Sequence, residues 1–180
     1  MKLSLKSALK ISALSALAIA PVLMSVTGAS AQTAPTKGTD ATWVGAGVVT
    51  GVTNNGGAGD DGDFGGNFSG RVPIHNTPLS ARGTVIYKNN SSAIAPKLTY
   101  DVGVAQNTNL FGGVGYNFVQ TDNASTTPLG DKDAVVLTVG AESTLRNNIV
   151  LYGSADVGID AYQNSNRTAV GLQVGVGAKF

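Results

Sequence analysis

The chain has 180 residues, with twelve Lys and Arg against eleven Asp and Glu, one His and no Cys. The absence of cysteine excludes disulfide and thiol chemistry, and a lone His75 is too few for a histidine metal cluster. The 24 glycines do not recur at every third position, which excludes a collagen helix.

The N-terminus reads as a secretory leader. Lys2, Lys6 and Lys10 form a basic start, residues 11–24 are mostly apolar, and Ala29-Ser30-Ala31 is a small-x-small cleavage site. The apolar run is shorter than the roughly 20 residues of a spanning helix. Residues 1–31 are therefore expected to be a signal peptide cut after Ala31. Removing its three lysines from the twelve basic residues leaves nine against eleven acids, a net charge of −2. No basic patch survives, so nucleic acid is excluded as a partner. Residues 32–41 (QTAPTKGTDA) read as a flexible lead-in.

From residue 42 to 180 the sequence predicts eight strands and no helix, at about 42–53, 64–74, 79–88, 96–106, 109–120, 133–144, 148–160 and 167–180. The connections between them alternate. TNNGGAGDDGD is long, HNTP short, NNSSAIA medium, the next short, TDNASTTPLGDKD long, LRNN short and AYQNSN longer. Short periplasmic turns and longer external loops give an up-and-down outer-membrane barrel this layout.

Each strand has two faces. Phe64, Phe68, Val72 and Ile74 oppose Asn67, Ser69 and Arg71. Leu98, Tyr100, Val102 and Val104 oppose Lys97, Thr99 and Asp101, and the other strands follow suit. In the first strand, Val44, Ala46 and Val48 suit the outside, which leaves Trp43 on the inner parity. A soluble barrel would bury the aliphatic face; a membrane barrel inverts this. The charges decide between them, because Arg or Lys at the lipid midplane costs about 2–4 kcal/mol. The expected lumen network is Arg71, Arg82, Lys97, Asp101, Glu142, Asp156 and Lys179, nearly balanced in sign. Strand six lies across from strand two, so Glu142 is expected to pair with Arg71, Arg82 or both, since a lone buried charge is costly.

Gly45, Gly47 and Gly51 on the first strand and Gly171, Gly175 and Gly177 on the last form a small-residue seam, with room for arginine, lysine and Tyr152. Phe64, Phe68, Tyr87, Tyr116 and Phe118 suit one interfacial girdle, and Trp43 and Phe180 the other.

The chain ends LQVGVGAKF. Leu172, Val174, Val176, Ala178 and Phe180 share one face, and the last residue is aromatic. This ending, with the eight two-faced strands before it, resembles the small eight-stranded outer-membrane barrels of the outer membrane protein A and X types. The resemblance covers residues 42–180. It implies an all-β, eight-stranded antiparallel up-and-down transmembrane β-barrel, with Leu172, Val174, Val176 and Phe180 read by the barrel-assembly machinery. It also implies a lumen filled by charged side chains.

Two local candidates remain. The loop Gly56 to Asp63 begins like a calcium-binding repeat, which makes Asp60, Asp61 and Asp63 a candidate metal site, although only one copy exists and Asp63 stands where the repeat needs an apolar residue. With Asp122, Asp131 and Asp133 it would make an acidic rim suited to divalent cations that bridge lipid headgroups. Catalysis lacks a constellation: His75 sits in a short turn with no carboxylate or cysteine beside it. The sequence therefore points to a non-enzymatic barrel in outer-membrane lipid, without a cofactor, in a structural or surface-interaction role. A narrow porin-like channel and a soluble exported barrel for a small ligand are the alternatives.

Overall fold

The computed structural model describes residues 38–53, 64–88, 91–121, 126–145 and 148–180. The expected leader and the Asp60, Asp61 and Asp63 candidate lie outside them. The strands are β1 (Trp43–Gly51), β2 (Phe64–Pro73), β3 (Leu79–Lys88), β4 (Ser91–Ala105), β5 (Thr108–Thr121), β6 (Ala134–Thr144), β7 (Ile149–Ile159) and β8 (Ala169–Lys179). Each pairs with its sequence neighbours, and β1 pairs antiparallel with β8, which closes the barrel. Closure leaves no edge strand, so every strand's ladder is satisfied on both sides.

The β2–β3, β4–β5 and β6–β7 connections are short and gather at one end, hereafter the turn end; the other connections lie at the opposite end, the loop end. Asn76, Asn107 and Asn148 supply one left-handed residue to each short turn, with φ of 60°, 63° and 63°. Asparagine tolerates that conformation better than other residues with a Cβ.

One predicted boundary is wrong. β4 starts at Ser91, not near residue 96, so the β3–β4 connection is only residues 89–90. Ser91, Ala93 and Ala95 are small and face inward, and Ser92 and Ile94 face outward. Small inward residues give little contrast in hydropathy, and the segment reads as a loop.

The faces are inverted relative to a soluble barrel. Val44, Phe68, Val72, Leu98, Val114, Leu137, Val139 and Val176 are exposed on the outside. Asn67, Arg71, Arg82, Lys97, Thr99, Glu142 and Asp156 are buried within. The exposed aliphatics form a continuous coat around a polar interior, the arrangement a hydrocarbon solvent selects. The soluble-barrel alternative fails on this observation. Phe64, Phe68, Tyr87, Tyr116 and Phe118 stand exposed toward the loop end as expected for a girdle. Phe68 and Tyr87 stack with centroids 5.8 Å apart, and Tyr116 and Phe118 lie at 4.9 Å.

Trp43 does not belong to a girdle. It is 2% exposed and lies inside the barrel, stacked on Tyr152 at 4.7 Å. Its indole N–H needs an acceptor when buried, and the lumen holds one.

Candidate functional site

Polar and charged side chains from several strands meet in the lumen. Near the turn end, β2, β3, β4 and β6 each supply one ionised group: Arg71, Arg82, Asp101 and Glu142. Arg71 Nη1 lies 3.1 Å from Glu142 Oε1, and Arg82 Nη1 lies 2.9 Å from Glu142 Oε2. Arg71 Nη2 is 2.7 Å from Asp101 Oδ2, and Arg82 Nη2 is 3.1 Å from Asp101 Oδ1. Each arginine thus bridges both acids. Two positive and two negative charges cancel, and fork-shaped guanidinium groups suit such bridging.

Neutral groups complete the quartet. Glu142 also accepts from the Trp43 indole at 2.9 Å and from Asn109 Nδ2 at 3.0 Å. Asp101 accepts from the Ser80 and Thr99 hydroxyls. Arg82 donates through Nε to Thr99 Oγ1 at 3.0 Å, and its guanidinium lies 3.7 Å from the Phe111 ring centroid. The Glu142 side chain is fully enclosed. Burying a carboxylate there without these donors would cost several kcal/mol, of the order given for an ion moved into a low dielectric.

Further toward the loop end, Lys97 Nζ contacts both oxygens of Asp156 at 2.8 Å. Gln173 Nε2 donates to Asp156 Oδ2 at 2.9 Å and to Ser154 Oγ at 2.7 Å. Tyr152 donates its hydroxyl to Asn67 Oδ1 at 2.7 Å, a polar contact between β7 and β2.

The loop end is closed by apolar side chains. Residues 127–130 turn back on themselves, with reciprocal backbone bonds of 2.9 Å between Thr127 and Gly130. This inserts Leu129, which is 1% exposed, against Val49, Ile86 and Ala93. Loop 160–168 braces the turn. The amides of Asp131 and Lys132 donate to the Ala161 carbonyl, and Gln163 N–H donates to Asp131 Oδ1 at 2.8 Å. Lys132 and Asp160 pair on the surface at 2.7 Å.

Six of the seven expected lumen charges are therefore inside, in two groups. Lys179 is the exception. It is exposed at the last position of β8 and joins no ion pair among the described residues. Its strand position has inner parity, but Trp43 stands directly across from it and takes the space below. The glycine seam makes room for Tyr152 as expected, and its other expected occupants need correction. A Cβ at Gly175 would strike the Tyr152 ring, one at Gly177 would meet Trp43 Cε3 at 3.0 Å, and one at Gly171 would meet Leu129 Cδ2 at 2.8 Å. The seam on β8 makes room for two aromatics and a leucine, not for arginine or lysine.

Of the expected lead-in, residues 32–37 lie outside the described residues and residues 38–41 lie against the barrel. Thr39 and Ala41 are buried across the turn end, because their backbone groups meet Arg71 and Asn109. Asn109, Ser80, Thr99 and Gln173 were not anticipated as lumen partners. Their inward parity was legible; their bonding partners lie on distant strands.

Leu172 and Val174 are half-buried and Val176 and Phe180 exposed on the outer face. Asp131 and Asp133 accept backbone amides, from Gln163 and Val119, and no cluster of three metal-ligating side chains forms among the described residues.

No protein-family model and no curated protein matches the sequence. Among solved structures, the chain is similar to Ail, the attachment invasion locus protein of Yersinia pestis, crystallised with the heparin analogue sucrose octasulfate. The two are 14% identical with a TM-score of 0.50, over 78% of this chain and 97% of that one. The chain is also similar to Neisserial surface protein A, at 17% identity and a TM-score of 0.49, over 77% and 97% of the two chains. At 14% identity the likeness to the Yersinia protein is one of fold. With its closed ring of eight strands, apolar outside and charged inside, this chain has the fold of the small eight-stranded outer-membrane β-barrels.

Proposed function

We propose that the protein is an integral outer-membrane barrel that conducts nothing and serves as a rigid, surface-presenting element of the envelope. The observation that carries this reading is the lumen: two neutral ionic groups, an apolar stopper at Leu129 and backbone across the turn end occupy it in series. An eight-stranded barrel is wide enough only for side chains or one small ligand. The lumen carboxylates Asp101, Glu142 and Asp156 are each bound by a basic side chain, so none of the three is a free acid or base.

In this reading the turn end faces the periplasm and Phe180, Val176, Val174 and Leu172 are the face recognised by the barrel-assembly machinery. The loop end faces outward. Its segments carry Asp60, Asp61, Asp63, Asp122, Asp131, Asp133 and Asp160 against Lys132 and Arg167. The Yersinia neighbour was crystallised with a sulfated ligand. The acidic balance here disfavours a polyanion and favours divalent cations or a cationic partner.

The test is membrane fractionation with heat-modifiable gel mobility, followed by single-channel recording in planar bilayers. A membrane-embedded, heat-modifiable and electrically silent protein is expected. Discrete conductance steps would establish the narrow channel instead. Loss of membrane assembly on deleting Phe180 tests the recognition face.

A further inference from the structure

We propose that the turn end is a peptide-binding cleft whose occupant is the chain's own Gly38–Ala41 segment, a separable strap that closes the mouth over Arg71. The strap is held as a peptide ligand is held, by side chains that read its backbone. Thr39 N–H donates to Asn109 Oδ1 at 3.0 Å, and Asn109 Nδ2 donates back to the Thr39 carbonyl at 2.7 Å. The Asn109 amide thereby takes the place of a neighbouring strand, the logic by which extended peptides add to sheets. Arg71 Nη1 donates to the carbonyls of Thr39 at 2.8 Å and Ala41 at 3.1 Å.

The cleft also selects side chains. Gly38 has φ of +42°, and a Cβ there would meet Asn109 Cγ at 3.0 Å and Gly103 Cα at 3.1 Å. The first position therefore requires glycine. The Thr39 hydroxyl pairs with that of Thr144 at 2.8 Å. Asp40 points to solvent and is free to vary. Ala41 is buried against Trp43, Val150 and Tyr152. The class of ligand is a Gly-Thr-x-Ala peptide.

Separability follows from the ladder. β1 pairs with β2 and β8 from Trp43 onward, so the ring of eight strands closes without residues 38–41. A cavity of about 200 Å³ beside the strap, lined in part by Pro73, Pro78 and Leu79, leaves space for it to lift. Without the strap, Arg71 keeps both of its acids.

Amide exchange by solution NMR, on the full chain in micelles, tests the strap against a built-in reference. The indole N–H of Trp43, the sole tryptophan, donates to Glu142 and reports the lumen. In the native protein both the Thr39 amide and the Trp43 indole should exchange at least about 100-fold more slowly than free groups, as locally protected hydrogens do. In Gly38→Val, which alters no barrel residue, Thr39 should lose that protection while Trp43 keeps it. Free exchange of Thr39 in the native protein, or retained protection in Gly38→Val, overturns the strap. Joint loss at Thr39 and Trp43 in Gly38→Val overturns its separability. None of these readouts depends on whether the barrel conducts.

Discussion

Trp43 and Glu142 are 99 residues apart in sequence and 2.9 Å apart in the lumen, indole nitrogen to carboxylate oxygen. The tryptophan opens β1, and the glutamate lies near the turn end of β6. Their bond spans the barrel, and the Trp43 ring lies on Tyr152 of β7. Glu142 is thus the point where an aromatic stack and an ionic quartet meet.

Replacing Glu142 by Gln or Leu leaves Arg71 and Arg82 with only Asp101 between them. Breaking a buried pair from one side costs about 3–5 kcal/mol. Urea unfolding in micelles, followed by Trp43 fluorescence and gel mobility, should show that loss. An unchanged midpoint for Glu142→Leu would mean the quartet contributes no stability.

The Lys97 and Asp156 pair makes a different prediction, because both partners can be removed together. Lys97→Met and Asp156→Leu should each destabilise the barrel by about 3–5 kcal/mol, while the double variant recovers most of the loss. A double-mutant cycle in urea measures the coupling. Additive single losses would show that the two charges do not depend on each other.

Leu129 fills space among Val49, Ile86 and Ala93, and Gly171 has no side chain where the leucine lies. Leu129→Ala should cost about 2–5 kcal/mol through the transfer and cavity terms. The ionic groups beneath stay in place, so bilayers containing the variant should remain silent. Steady conductance in Leu129→Ala alone would identify the leucine as the main barrier.

The outer coat can be probed at Leu137, near the middle of β6 and exposed. Leu137→Arg should lower stability in lipid by about 2–4 kcal/mol, the midplane cost of a cation facing hydrocarbon. A position with the opposite parity behaves differently. Thr138 lies buried with an unpaired hydroxyl among the described residues, so Thr138→Val should leave the midpoint unchanged or raise it. Reversed outcomes at the two positions would mean the faces had been exchanged.

Much of this arrangement was legible along the chain. Parity alone separated Leu137 from Thr138 and Phe68 from Asn67, because a strand's side chains alternate strictly. The charge argument then chose the inside, and opposition of β2 and β6 brought Glu142 to Arg71. Trp43, Lys179 and the strap show what escaped. Trp43 followed its parity, but its aromatic character suggested a girdle. Lys179 also had inner parity, yet its position depends on the tryptophan opposite, which is a packing fact. The strap at Thr39 depends on Asn109, 70 residues later, and on no periodic signal. Pairings between distant strands are set by the tilt and register of the closed barrel, which a linear pattern does not contain.

The two-residue connection between β3 and β4 shapes what a visitor meets at the loop end. Beside β5 to β8, the turn at 127–130 and loop 160–168 lock together as a low wall over the mouth. Over β3 and β4 there is almost no chain to continue it. Among the described residues the loop end is therefore lopsided, with braced loops standing over β5 to β8 and a connection of only two residues joining β3 to β4. A partner that recognises the braced pair would find its contacts on one half of the ring, so its direction of approach matters as well as its chemistry.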